Sequence, residues 1–337
     1  MDKINVAIIG VSGYTGLELI KILLNHPRFE IAYIATTEGG VKAVDLHPSL
    51  AKVFEQDVHK ANANDVAKHA SLAFLALPHQ TAMSFAKELL ALGVKVVDLS
   101  ADYRLELEAY ERHYCEHHDK ENLKEAIYGL VELNREKIKK ARLVANPGCY
   151  PTASLLGLLP FLPYLKPQAP IFIDAKSGVS GAGKKLSPTS HFVAINENIF
   201  AYNPLKHRHE PEIAEKIRLV SGHAYEVNFV PHLLPVTRGM LVSSYIQTAE
   251  VIDAKEVLRA FYAKEPFVRV REMPVDIKST SGTNFCDIFV SQKGTSIFIS
   301  SAIDNLLRGA SSQAVVNANL MCGFDEDMGI PMIAYVP

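Results

Sequence analysis

The segment that decides the fold reads Ile4-Asn5-Val6-Ala7-Ile8-Ile9-Gly10-Val11-Ser12-Gly13-Tyr14-Thr15-Gly16. Ile4 to Ile9 is a short apolar run closed by a glycine, the pattern of a strand buried on both faces of a parallel sheet. From Gly13 to Asn25, Leu17, Ile20, Leu23 and Leu24 recur at helical spacing, and His26-Pro27 ends the run. A glycine-rich turn between a first strand and a first helix lets backbone approach a pyrophosphate, and the helix N-terminus adds N–H donors and partial positive charge. The spacing is GxxGxxG rather than GxGxxG, and the plain alternative is an ordinary strand-to-helix turn. Its place at the first strand, turn and helix favours dinucleotide binding by Gly10, Ser12, Gly13, Tyr14, Thr15 and Gly16.

The same alternation continues outward. Glu30 to Ala35, Leu72 to Leu77 and Lys95 to Leu99 read as strands. Thr81 reads as the N-cap of a helix running to about Leu92. Strands and helices in this order imply an α/β domain with a parallel sheet and helices on both faces. An acidic residue at the end of the second strand usually holds the ribose 2′-OH of NAD. Here Thr36 and Thr37 come first and Glu38 follows. Hydroxyls can donate to a 2′-phosphate, so the pattern leans towards NADP(H). After about Pro151, the runs Ile171 to Asp174, Tyr225 to Val230, Leu241 to Ile246, Phe285 to Val290 and Ser296 to Ser301 read as strands with few helices between them. They predict a second domain on a mixed or antiparallel sheet. Leu306 to Met321 returns to a helical pattern that could lie back on the first domain.

The chain has 337 residues, enough for two domains of roughly 150 residues each. Apolar residues at 48% and charged residues at 21% describe a globular protein rather than a disordered one. A net charge of -2 without long runs of one sign argues against nucleic acid or a membrane surface as partner. Cys115, Cys149, Cys286 and Cys322 are widely spaced, which argues against a disulfide framework or a structural zinc site. No metal is expected. The start lacks a signal-peptide pattern, and no apolar stretch reaches the roughly 18 residues of a membrane span. A cytoplasmic location is the expectation.

One cysteine stands in unusual company. Leu143 to Ala145 reads as a strand, followed by Asn146-Pro147-Gly148-Cys149-Tyr150-Pro151-Thr152 and the apolar run Ala153 to Leu159. Pro151 suits a first helical turn, which puts Cys149 at or just before a helix N-terminus. That position favours the thiolate, the reactive form, and its N–H groups could hold an oxyanion. A buried, inert cysteine is the alternative. A nucleophilic thiol needs a base, and Lys206-His207-Arg208-His209-Glu210-Pro211-Glu212-Ile213 offers two imidazoles. Arg208 could hold a carboxylate or phosphate. The alternative for this segment is a solvated basic turn.

Three further stretches follow strands and could hold anions. Ser177-Gly178-Val179-Ser180-Gly181-Ala182-Gly183-Lys184-Lys185 could cradle one with backbone N–H groups. Ser100-Ala101-Asp102-Tyr103-Arg104 lies at a strand's C-terminal end, where such sheets bind ligands; Arg104 either holds phosphate or pairs with Asp102. Asp304-Asn305-Leu306-Leu307-Arg308-Gly309 opens the last helix, and the Asn305 amide could face a nicotinamide. On this reading Thr36, Thr37, Ser177, Gly178, Ser180, Gly181 and Asn305 join the glycine loop in holding the cofactor. Ser100, Arg104, Asn146, Lys184 and Arg208 are assigned to the substrate.

Taken together, these motifs resemble the N-acetyl-gamma-glutamyl-phosphate reductases of arginine biosynthesis. The resemblance runs nearly end to end and includes Pro231-His232-Leu233-Leu234-Pro235-Val236-Thr237-Arg238-Gly239. It implies a Rossmann-type domain at 1–148 with 310–337. It implies a catalytic and oligomerisation domain at 149–309, of the α+β type found in glyceraldehyde-3-phosphate dehydrogenases. It also implies NADPH as hydride donor, a small-molecule substrate with phosphate released, and a homo-oligomer, a tetramer or dimer. Cys149 would be the nucleophile, with His209 first and His207 second as acid/base. Aspartate-semialdehyde dehydrogenase chemistry is the nearest alternative, a non-catalytic NADP-sensing module the next. A metal enzyme built on the histidines is the weakest.

Overall fold

Val6 to Ile9 bury completely because sheet neighbours flank them on both sides and helices cover both faces. The computed structural model describes residues 3–335. The chain divides into two compact units, Met1–Pro147 with Ala310–Pro331, and Gly148–Gly309 with Met332–Pro337.

The first unit is built on eight strands, β1 (Ile4–Ile9), β2 (Phe29–Thr36), β3 (Val41–Lys42), β4 (Asp57–Lys60), β5 (Leu72–Leu75), β6 (Lys95–Asp98), β7 (Ile127–Tyr128) and β8 (Leu143–Ala145). Their order is β3-β4-β2-β1-β5-β6-β8-β7, and every pair is parallel except the short β3/β4 edge. The chain builds outward from β1 to one side and then returns to place β5 on the other. The crevice above β1 and β5 is therefore the topological switch point of a doubly wound sheet. The helix Tyr14–Leu24 follows β1, and the helix Ser311–Met321 packs on it, buried along its whole length.

Two expectations need correction here. Thr81 does not cap its helix. It is the first helical residue, and the Asp102 carboxylate takes the capping role by accepting from Gln80 N and Met83 N, both at 2.9 Å. Local sequence favoured a threonine cap, but a carboxylate from the next strand end fits the exposed donors better. The tail beyond Pro331 was expected with the first unit. It groups with the second, where Tyr335 lies under the Arg238 guanidinium.

The second unit carries β9 (Ile171–Gly178), β10 (Phe200–Ala201), β11 (Val227–Leu234), β12 (Met240–Gln247), β13 (Val268–Val270), β14 (Cys286–Lys293) and β15 (Ser296–Ile303) in the order β10-β11-β9-β12-β15-β14-β13. The sheet is mixed: β11/β9 and β13/β14 are parallel, and the remaining pairs are antiparallel. The helix Cys149–Leu158 packs on β12 and β15 and is buried from Tyr150 to Leu158. Phe172 and Tyr245, on the strands' outward-facing positions, stand about half exposed.

Candidate functional site

In the first unit the three glycines of the turn after β1 have separable causes. Gly10 has φ +97, and a Cβ there would sit 2.2 Å from the Ala76 carbonyl oxygen. At Gly16 a Cβ would meet Gly10 O and Val11 Cα at 2.6 Å. Both are excluded by the protein's own backbone. Gly13 differs: within the chain a Cβ there would meet nothing closer than 3.9 Å. Its missing side chain leaves an open approach to the backbone from outside. This is the division of labour a dinucleotide turn needs, one glycine for the turn, one for ligand approach and one for helix packing. Ser12 and Tyr14 are exposed beside Gly13. Thr15 O accepts from Ser311 Oγ, which ties the turn to the closing helix. At the end of β2, Thr36 Oγ1 accepts from Gly39 N at 2.9 Å, and Thr37 is exposed.

Three residues assigned to the substrate turn out to be internal. Ser100 is buried; its hydroxyl donates to Asp98 Oδ2 at 2.6 Å and accepts from Asp102 N. Burial first, then the neighbouring Asp102 charge, pushes the Asp98 carboxyl up to about 7. Arg104 is only 7% exposed, and its guanidinium donates to the carbonyls of Asn146 and Leu99, both at 2.8 Å. Asp102 accepts from Tyr110 OH besides capping its helix. The Asn146 amide donates to Ala310 O and accepts from Asn317 Nδ2. Arg104 and Asn146 therefore fix the end of β8 rather than face a ligand.

In the second unit Cys149 is the first residue of its helix, with Gly148 as N-cap. Gly148 N donates to the buried Glu212 carboxylate at 3.0 Å. On the other side, a Cβ added to Gly309 would lie 2.6 Å from Cys149 Cβ and 2.5 Å from Asn305 O. The glycine is what lets the chain pass this close to the cysteine. Asn305 is buried and spends its amide inside the unit, accepting from Gly239 N at 2.7 Å and donating to Ser180 Oγ at 3.0 Å. These two bonds fix the orientation of the Asn305 amide. The turn after β9 is packed closely from within the unit. Ser177 Oγ donates to Gly178 O, a Cβ at Gly178 would meet the Arg238 backbone at 2.9 Å, and one at Gly181 would meet Ser177 Oγ at 2.8 Å.

The two histidines gather around Tyr150. Their ring centroids lie 4.9 Å apart, with Tyr150 at 5.5 Å from His207 and 5.7 Å from His209. His207 is also enclosed by Tyr202 and Phe229, and its Nδ1 accepts from His209 N. Burial, then the Arg208 charge, lowers the His207 pKa to about 4, so the ring is neutral. His209 stands at the N-cap of the helix Glu210–Ser221. Tyr150 OH and Tyr202 OH are 2.9 Å apart, and burial raises both hydroxyls above their ordinary range of titration. Lys184 and Arg208 are exposed.

Comparison with known proteins follows from this geometry. The semialdehyde dehydrogenase NAD binding domain matches residues 5–141, and the semialdehyde dehydrogenase dimerisation domain matches 149–305. The N-acetyl-gamma-glutamyl-phosphate reductase of Sulfurovum sp. (strain NBC37-1) is 64% identical over 334 residues, covering 99% of this chain and 100% of the relative. That of Wolinella succinogenes is 62% identical over 337 residues, the full length of both. The chain belongs to the N-acetyl-gamma-glutamyl-phosphate reductase family. Among solved structures, aspartate semialdehyde dehydrogenase II of Vibrio cholerae has a TM-score of 0.74 at 17% identity, covering 96% of this chain and 99% of its own. The Candida albicans aspartate semialdehyde dehydrogenase, solved with NADP, has a TM-score of 0.71 at 13% identity, covering 95% and 99%. At these identities the likeness is one of fold.

Within this reductase family member, sequence reasoning overlooked Gly309 and Glu212. Glu212 lay inside the quoted histidine segment and was passed over because its partner is 64 residues away. Gly309 carries no local signal; only its closeness to Cys149 singles it out. Among the described residues no group of three or more His, Cys, Asp or Glu side chains is arranged to hold a metal ion, and no helix is long and apolar enough to cross a membrane.

Proposed function

We propose that the chain catalyses the NADPH-dependent reductive dephosphorylation of N-acetyl-gamma-glutamyl phosphate to N-acetylglutamate 5-semialdehyde in arginine biosynthesis. The observation that carries this reading is the cysteine at the first turn of its own helix, braced by Glu212 and Gly309, in a chain 64% identical to a reductase of that name. Gly10 to Gly16 would hold the dinucleotide pyrophosphate, with the approach left open at Gly13, and Thr36 and Thr37 would face the 2′-phosphate. When bound there, NADPH supplies the hydride.

The remaining chemistry falls to the chain's own groups. His209 takes the proton from Cys149, because burial leaves His207 a weak base, lowered to about 4, whose Nδ1 already accepts from His209 N. The thiolate attacks the acyl carbon, the carbon–oxygen bond to phosphate breaks, and a thioester remains on Cys149. Arg208 and Lys184 are the cations assigned to the departing phosphate. After reduction the tetrahedral alkoxide on the same sulfur collapses: the carbon–oxygen double bond re-forms, the carbon–sulfur bond breaks, the aldehyde leaves, and the Cys149 thiolate takes back its proton from His209. The open face of the second unit's sheet and the match to a dimerisation domain support a homo-oligomer. The biosynthetic role supports a cytoplasmic location.

The test is the reverse reaction, with N-acetylglutamate semialdehyde, NADP and phosphate followed as NADPH absorbance. Phosphate-dependent NADPH formation that disappears in Cys149→Ala, with NADP binding retained, is the expected result. Turnover of aspartate semialdehyde instead would move the substrate assignment. Turnover by Cys149→Ala near the wild-type rate would end the covalent mechanism.

A further inference from the structure

We propose that His47 is a positioning residue for the cofactor, acting through the backbone of the glycine turn. The proposal rests on the reading of that turn as the dinucleotide site. The His47 imidazole is buried, and its Nε2 lies 2.6 Å from the Val11 carbonyl oxygen. A carbonyl only accepts, so Nε2 carries the proton in this contact. Val11 and Ser12 share one trans peptide, in which C=O and N–H point in opposite directions. Holding the Val11 carbonyl on the protein side therefore aims the Ser12 N–H away from it, next to the position where Gly13 leaves the backbone open to approach.

His47 reaches the turn from a segment with a stake in the same ligand. Leaving the Thr36–Thr37 strand end, the chain makes β3, one turn of helix at Ala43–Leu46 and then His47. This excursion is fastened to the sheet edge by Gly40 N to Val58 O and Ala43 N to Gln56 O, both at 2.9 Å. His47 N donates to Ala43 O at 3.0 Å, and Pro48 follows with its fixed φ. The imidazole thus joins two stretches that approach a dinucleotide at different places, the turn at its pyrophosphate and the strand end at its 2′-phosphate. The backbone already joins these stretches where Gly10 N and Val11 N donate to Ala35 O, and the imidazole adds a side-chain tie at the Val11 carbonyl.

The experiment measures the dissociation constant of NADP by calorimetry for wild type, His47→Ala and His47→Gln, together with kinetics. His47→Ala is expected to weaken NADP binding and raise the NADPH KM about tenfold, the effect of leaving one buried acceptor unsatisfied. The acyl-phosphate KM and kcat at saturating NADPH should change by less than about threefold. A glutamine amide can reach the place of Nε2, so His47→Gln should recover most of the loss. Unchanged NADP affinity in His47→Ala, even with a lower melting temperature, would show that His47 supports only the fold and would overturn the proposal. Equal rises in both KM values would do the same. Failure of wild type to bind NADP would overturn the dinucleotide reading and this proposal with it.

Discussion

Replacing Gly309 by alanine puts a methyl carbon 2.6 Å from Cys149 Cβ and 2.5 Å from Asn305 O. Relaxed carbon–carbon contacts lie at about 3.5–4.0 Å, so about 1 Å must be made up by movement. The Asn305 main chain has little freedom, since Gly309 N donates to Asp304 O beside it and the buried Asn305 side chain is anchored to Gly239 N and Ser180 Oγ. Cys149 is the residue that yields, at the start of a helix whose cap is held by Glu212. Overpacking of this kind costs about 1–3 kcal/mol of stability, which a chain of this size survives. A displacement of about 1 Å at a nucleophile costs about a hundredfold in rate. Gly309→Ala should therefore lower kcat about a hundredfold in the reverse assay while NADP binding by calorimetry stays within about twofold. Circular dichroism and the melting temperature show whether the fold persists. A folded Gly309→Ala protein with kcat within about threefold of wild type would refute the argument that this glycine sets the position of the cysteine.

Other outcomes follow from buried polar groups. Arg104→Ala leaves the carbonyls of Asn146 and Leu99 without their donor. It should cost about 2–5 kcal/mol in urea unfolding, and it should not raise the substrate KM more than the cofactor KM; a selective rise in substrate KM would return Arg104 to the substrate site. His26 Nδ1 accepts from Arg28 N and Phe29 N while Nε2 meets Asn319 Oδ1, and burial foremost lowers its pKa below 6.5. A base depressed in the folded state takes up protons more readily when unfolded, so this contribution is present above pH 6.5 and is lost as pH falls below it. The urea midpoint of wild type should drop from pH 7.5 to 5.5 and the drop should shrink in His26→Asn; equal slopes would remove His26 as a source.

Several parts of the site were legible because they are local. A strand, a glycine turn and a helix are neighbours in sequence, and the periodicity of apolar residues reports each one directly. Cys149 at its helix start was legible for the same reason, from Gly148 before it and the apolar run after it. The short strands β3, β4, β7, β10 and β13 were not, because none carries an apolar run of the kind that marks the equally short β5 and β8.

The partner of each polar side chain was settled elsewhere. Ser100, Arg104, Asn146 and Asn305 have the chemistry of ligand contacts, and sequence alone read them so. In the folded chain each is buried and bonded internally, Asn146 to Asn317 some 171 residues away and Asn305 to Gly239 across 66. Sequence by itself determined which segments become strands and helices, where the turns fall and which thiol starts a helix. Only the tertiary structure decided which of those polar groups still face outward. A hydrogen bond needs its two groups within about 3 Å, and distant segments come that close only once the sheets have formed.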